Sequence, residues 1–120
     1  MPKLSFINLY VADPGASASF YADLLGRPPV EASPTFVMFA VSDSVMLGLW
    51  SKHTVEPAAT ASGGAAEIAF TVADVDATHA DWKKRGLSIA QTPTEMDFGR
   101  TFVALDPDGH RLRAFTPAGR

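Results

Sequence analysis

The sequence contains no cysteine among its 120 residues. This absence excludes disulfides and thiolate metal sites, and it is compatible with the reducing cytoplasm. Long apolar runs are also missing, because the longest one, Phe36 to Val41, is far shorter than the ~20 residues that a membrane-spanning helix needs. No basic segment with an apolar core precedes the first strand pattern. We therefore expect no signal peptide, no membrane partner and a cytoplasmic location.

An excess of charge of one sign is lacking as well. The formal net charge is −3, and the lysines and arginines are scattered along the chain. The chain therefore lacks the basic footprint of a nucleic-acid-binding protein. Its length fits one domain that can bury a hydrophobic core and needs no covalent cross-link to fold. We expect a single domain over residues 1–120 whose partners are small molecules or other proteins.

The tripeptide Val-Ala-Asp occurs twice, at Val11–Asp13 and at Val72–Asp74. Each copy ends an apolar run and precedes a stretch of helical periodicity, which in turn ends before Gly26 or Gly86. The aspartates are suited to cap a helix N-terminus, and the glycines suit the left-handed position that follows a helix. The repeat predicts two copies of one supersecondary unit.

The modules are predicted at about 1–56 and 65–120, with a flexible connector of small residues between them. After its helix, each module has a short strand pattern and then two longer ones, at 30–32, 35–41 and 45–51 in the first and at 87–90, 100–105 and 111–115 in the second. The last two are joined by Asp-Pro-Asp-Gly at 106–109, a strong turn signal. Each module is therefore predicted as β-α-β-β-β, with a helix on one face of a mixed sheet and a concavity on the other.

Four stretches resemble the glyoxalase, bleomycin-resistance and dioxygenase superfamily, also called the vicinal oxygen chelate superfamily. They are the strands ending in Val-Ala-Asp, the run Ser19-Phe20-Tyr21-Ala22-Asp23-Leu24-Leu25-Gly26, and Leu105-Asp106-Pro107-Asp108-Gly109-His110-Arg111-Leu112. The resemblance spans nearly the whole chain. It implies an α+β vicinal oxygen chelate fold, in which two βαβββ modules form a curved mixed sheet around a cavity. The activity stays open, since this fold hosts isomerases, dioxygenases, thiol transferases and drug binders.

Enzymes of this superfamily hold a divalent metal with His and Glu side chains on their strands. In this chain the corresponding positions fall on Phe6, Gly48, Glu67 and Arg113. A phenyl ring has no lone pair, glycine has no side chain, and a guanidinium repels a cation. One carboxylate does not make a site that needs several ligands, and the spacing of the histidines supplies no ligand pair. We therefore predict no metal, no cofactor and no catalytic residue.

Alternation along the strand places Met46, Gly48 and Trp50 on one face. Gly48 is expected to leave space beside Trp50, so that a flat aromatic ligand stacks on the indole, a contact worth ~0.5–1.5 kcal/mol beyond area burial. Phe6 falls in the same cavity-facing register. Met38 and Met46 either supply an adaptable lining or fill the core.

Glu67 and Arg113 stand where the family carries metal ligands. They either neutralise each other as an ion pair or orient polar groups of a ligand. Arg100 is expected at the mouth of the site or as a solvated residue at a strand end, and Pro93–Gly99, which contains Phe98, as a loop over the cavity. The predicted ligand-binding residues are Trp50, Phe6, Gly48, Met38, Met46, Glu67, Phe98, Arg100 and Arg113.

Among metal-free members of the superfamily, the chain is most similar to antibiotic-binding resistance proteins. The runs Trp50–His53 and Met96–Phe102 are similar to phenazine-resistance proteins. This resemblance implies metal-independent sequestration of a planar aromatic small molecule, an antibiotic of the phenazine or bleomycin type, by a homodimer. The modest net charge favours a neutral or weakly charged compound over a highly cationic one. The alternatives are a metal-dependent lyase or dioxygenase whose ligands lie in another register, and a domain that serves only as a dimerising scaffold.

Overall fold

A computed structural model describes residues 1 and 3–119, and in this part of the chain one order of strands and helix occurs twice. The first series is β1 (Phe6–Val11), α1 (Pro14–Leu25), β2 (Glu31–Ala32), β3 (Phe36–Ala40) and β4 (Met46–Ser51). The second series is β5 (Glu67–Thr71), α2 (Val75–Lys84), β6 (Ser88–Met96), β7 (Gly99–Leu105) and β8 (Arg111–Pro117). The predicted α+β fold of two βαβββ modules is confirmed. The chain divides into two compact units, Met1–Ser62 and the chain from Gly63 onward.

Both helices begin and end at the residues that the repeat indicates. The carboxylate of Asp13 accepts hydrogen bonds from two backbone amides at the start of α1, and that of Asp74 accepts one at the start of α2. Gly26 and Gly86 follow the helices at φ values of 69° and 91°. Neither helix in the described part of the chain is long and apolar enough to cross a membrane.

Each unit contains a mixed four-stranded sheet, in the order β1-β4-β3-β2 in the first unit and β5-β8-β7-β6 in the second. In both units the first and last strands run parallel side by side, and the other pairs are antiparallel. The last strand of each unit therefore lies inside the sheet, between strands that precede it in the sequence.

Helix α1 covers one face of the first sheet. Tyr21 of this helix is fully buried, and the strand residues that pair beneath it, Val37 with Leu49 and Phe39 with Leu47, are also buried. Because side chains alternate along a strand, the residues between these lie on the face that α1 leaves uncovered. This uncovered face carries the residues predicted to bind a ligand in the first unit.

Helix α2 covers one face of the second sheet with aromatic contacts. The ring of Trp82 lies 6.0 Å from that of Phe70 and 5.3 Å from that of Phe102. The ring of His79 lies 5.2 Å from the Phe102 ring, so this histidine also belongs to the core side of the helix. The opposite face of β5, β7 and β8 is the one that α2 leaves uncovered.

The segment from Pro93 to Gly99 is not a loop, and that prediction is wrong. Strand β6 continues to Met96, and only Asp97 and Phe98 separate it from β7. The strand tolerates Pro93 because the pairing register shifts between Gln91 and Thr94. At such an irregularity a residue without an amide hydrogen costs no ladder hydrogen bond.

Candidate functional site

Three aromatic side chains from neighbouring strands stand in a row on the uncovered face of the first sheet. The register pairs Tyr10 with Trp50 across β1 and β4, and Trp50 with Phe36 across β4 and β3. Both neighbours meet the indole edge-on, with ring centroids 6.4 Å and 6.1 Å away and interplanar angles of 78° and 86°. Edge-to-face contacts of this kind are favourable, so the strand register itself holds the indole in place.

The row borders an open concavity of about 420 Å³ lined by Phe6, Asn8, Phe36 and Trp50. The ring of Phe6 contributes exposed apolar surface to this lining, since the residue is 45% exposed. Asn8 supplies the polar side chain of the lining. The volume lies within the range of about 300–1,000 Å³ that is common for small-molecule sites. We call this feature the aromatic concavity.

Gly48 does not leave an empty space beside Trp50, which corrects the expected role of this residue. A Cβ atom at Gly48 would collide with Oδ1 of Asn8 and would lie 2.8 Å from two carbons of the Phe36 ring. Side chains of the two neighbouring strands therefore fill the room above the glycine. Gly48 acts indirectly, because it allows Asn8 and Phe36 to lie where they line the concavity.

Met38 and Met46 lie on the same face but beside the concavity. The register places Met38 opposite Gly48 and Met46 opposite Phe6, and both methionines are half-buried. Of the residues predicted in this unit, Phe6 and Trp50 come together in the lining. The sequence-based prediction missed Asn8 and Phe36. Asn8 could be predicted from alternation, because it lies two residues after Phe6 on the same strand. The position of Phe36 cannot be predicted without knowledge of the strand order.

On the uncovered face of the second sheet, Glu67 and Arg113 form an ion pair. Nε of Arg113 donates to Oε2 of Glu67 at 2.6 Å. Nη1 of Arg113 donates to Oγ1 of Thr101 at 3.1 Å and to Oε1 of Gln91 at 3.4 Å. Nη2 of Arg111 lies 3.7 Å from Oε1 of Glu67. We call these five residues the arginine cluster.

Phe98 adjoins this cluster from the turn between β6 and β7. Its ring centroid lies 5.6 Å from Cζ of Arg113, a cation–π distance, and 6.0 Å from the ring centroid of Phe115. Phe98 is 44% exposed. The sequence-based prediction missed Arg111 and Phe115, although both follow the alternation that places Arg113 on this face.

Of the two positions expected for Arg100, the structure shows the one at a strand end, apart from the arginine cluster. Its neighbour Thr101 faces the cluster, so alternation turns Arg100 to the helix-covered side. There it donates to both carboxylate oxygens of Asp76 at 2.8 Å and 2.9 Å, and to Glu95 at 3.0 Å. The hydrogen bonds from Arg100 lower the pKa of Asp76, and both carboxylates raise the pKa of Arg100. Arg100 thus ties β7 to the first turn of α2.

The side chains at the family's metal positions do not fit a divalent ion. Phe6 and Gly48 offer no donor atom, and the carboxylate of Glu67 is bound by Arg113. Within residues 1 and 3–119, no three His, Asp or Glu side chains are grouped so that they could hold a metal.

Sequence comparison matches residues 3–114 to the model of the Glyoxalase/Bleomycin resistance protein/Dioxygenase superfamily. The chain is 32% identical over 118 residues to the phenazine antibiotic resistance protein EhpR of Enterobacter agglomerans, an alignment that covers 93% of this chain and 88% of that protein.

Two solved structures show the same fold. Protein ATC0852 of Agrobacterium tumefaciens is 51% identical, with a TM-score of 0.90 and coverage of 99% of this chain and 100% of that one. TnmS3, described as an antibiotic binding protein from Streptomyces sp. CB03234, is 20% identical, with a TM-score of 0.78 and coverage of 98% of both chains. At that identity the likeness to TnmS3 extends to the fold alone.

Proposed function

The chain belongs to the glyoxalase/bleomycin resistance protein/dioxygenase superfamily, and from this premise we propose that it binds and sequesters a planar aromatic small molecule, such as an antibiotic, without a metal ion. The observation that carries the proposal is the aromatic concavity, with Trp50 held edge-on between two other rings. The proposal includes a cytoplasmic homodimer and a ligand related to the phenazines.

Binding to the aromatic concavity draws its free energy from two sources. Burial of apolar surface contributes about 25 cal/mol per Å², and contact with the indole adds ~0.5–1.5 kcal/mol. Tyr10 and Phe36 already restrain Trp50, so little side-chain entropy is lost when a ligand arrives. Asn8 can orient a polar atom of a ring system.

The relatedness to a phenazine antibiotic resistance protein supports a flat tricyclic compound as the first probe. Metal independence is supported by side-chain chemistry, because the residues at the family's ligand positions lack donor atoms or are already paired with an arginine. A lyase or dioxygenase that depends on a metal is the competing function, so the binding experiment must also test for metal.

We expect phenazine to quench the fluorescence of Trp50 in a saturable way. The variant Trp82→Phe makes Trp50 the sole tryptophan, and it serves as the matched control because Trp82 lies in the core of the second unit, 8% exposed. Trp50→Ala is expected to weaken binding about tenfold or more, in line with the cost of truncating an aromatic anchor. Calorimetry measures the affinity of each variant, before and after dialysis against a chelator.

Several outcomes would contradict this proposal. Unchanged affinity in Trp50→Ala would remove the assigned role of Trp50. Failure of phenazine and related tricyclic compounds to bind would overturn the function itself. Tightly bound stoichiometric metal, or loss of binding after chelation, would favour the metal-dependent enzyme.

A further inference from the structure

The arginine cluster retains an excess of positive charge after its internal pairing. It contains two guanidinium groups, Arg111 and Arg113, and one carboxylate, Glu67. The carboxylate pairs closely with Arg113 at 2.6 Å, whereas the nearest nitrogen of Arg111 lies 3.7 Å away, beyond hydrogen-bond distance. Arg113 also donates to Thr101 and Gln91. The surplus charge is therefore that of Arg111.

Arg111 also has hydrogen-bonding capacity that the described residues do not use. Its Nε is buried and has no acceptor within residues 1 and 3–119. Buried donors of this kind are rare, and leaving one unpaired costs free energy. The side chain as a whole is 43% exposed, so the guanidinium remains within reach of a ligand. A guanidinium edge matches the geometry of a carboxylate, to which it can donate two parallel hydrogen bonds.

An aromatic surface lies along the same face. Arg111, Arg113 and Phe115 occupy alternate positions of β8, and the exposed Phe98 packs edge-on against Phe115 and over Arg113. An apolar ring can therefore pack here while a group attached to it reaches a guanidinium. This combination favours an anion carried on an aromatic ring over a small free anion.

We propose that the arginine cluster, with Phe98 and Phe115, is a binding site for an aromatic carboxylate. Arg111 binds the carboxylate through its terminal nitrogens, and Phe98 packs against the ring. The inference rests on the proposed function and goes beyond it, because it assigns a second site, in the second unit, to a planar aromatic acid. The overall charge of −3 does not oppose this, since charges in contact outweigh distant, screened ones.

A matched pair of probes tests the inference: acridine-9-carboxylate and the neutral acridine-9-carboxamide, titrated by calorimetry at pH 7.5. We expect the carboxylate to bind about tenfold more tightly or better, as for a charge-assisted hydrogen bond. Arg111→Gln should abolish this preference, so that the acid and the amide bind to the variant with equal affinity. Arg111→Lys, which keeps the charge but lacks the planar fork, should retain only part of it.

Glu67→Gln should act in the opposite direction. It removes the carboxylate that competes for the guanidinium groups. We therefore expect the acid to bind to this variant more tightly than to the wild type. Arg85→Gln is the control for overall charge, because Arg85 pairs with Asp81 at the end of α2 and lies outside the cluster. Its preference for the acid should equal that of the wild type.

The NMR signal of the Arg111 Nε–Hε group gives an independent readout. It should shift with acridine-9-carboxylate and remain unchanged with the amide. Equal affinity for the two probes, or a preference that survives Arg111→Gln in a folded variant, overturns the inference. A protein that binds phenazine at Trp50 but shows no preference for the acid keeps the proposed function and loses only this inference, whereas a protein that binds none of the probes loses both.

Discussion

At the scale of single residues, Gly48 shows how a missing side chain organises a surface. Asn8 and Phe36 reach over it from the strands on either side, and they form half of the lining of the aromatic concavity. Alternation within one strand predicts that Phe6 and Trp50 share a cavity-facing register. It does not predict side chains that cross from neighbouring strands, because this depends on the order β1-β4-β3.

We expect Gly48→Ala to lower the free energy of unfolding by about 1–3 kcal/mol, the usual cost of overpacking. The new methyl group meets Asn8 and Phe36. Urea denaturation measures the effect, and Asn8→Ala in the same chain should recover part of it. Gly15→Ala is the matched control, because a Cβ there approaches only Oδ1 of Asp13, at 3.4 Å. Equal stability of Gly48→Ala and the wild type would contradict this packing around the glycine.

At the scale of elements, the contact between Arg100 and Asp76 joins strand β7 to the start of helix α2. The sequence predicts both elements and their caps, since an N-cap aspartate and a following glycine are local signals. It does not predict this tether, because Arg100 and Asp76 are far apart along the chain. Local sequence signals also fail to predict that β6 continues through Pro93, because the shift in register is visible only in the pairing with β7.

The tether predicts a pH dependence of stability. Arg100 lowers the pKa of Asp76 below its ordinary value of 3.8 in the folded protein. A carboxyl group with a lowered folded pKa stabilises the fold above its unfolded pKa, and this contribution is lost as the pH falls through the folded value. Asp76→Asn should therefore be less stable than the wild type at pH 6, and the difference should shrink below pH 3.8. Urea denaturation from pH 6 to pH 2 measures it.

The control for this prediction is the same substitution in an Arg100→Gln background, where Asp76 has lost its partner. In that background, the stability difference that Asp76→Asn causes should no longer follow this pH course. A stability difference that persists unchanged down to pH 2 in the otherwise wild-type chain would contradict the proposed linkage.

At the scale of the whole molecule, the chain offers one tryptophan in each unit, Trp50 in the first and Trp82 in the second. We propose that residues 1–120 unfold as a single domain, as the length of the chain predicts. In Trp82→Phe and in Trp50→Phe, the urea midpoint from the remaining tryptophan should then coincide with the midpoint from far-ultraviolet circular dichroism. Separate midpoints would indicate two units that unfold independently.

The position of the last strand within each sheet bears on how the chain behaves during synthesis. Strand β4 lies between β1 and β3, and β8 lies between β5 and β7. A nascent second unit therefore holds a solitary β5 and a β6–β7 hairpin until the ribosome releases β8, which then inserts between them. Truncation before Arg111 would remove β8 from the middle of the sheet. Strand β5 and the β6–β7 hairpin would then have unpaired edges, which are prone to pair with other chains.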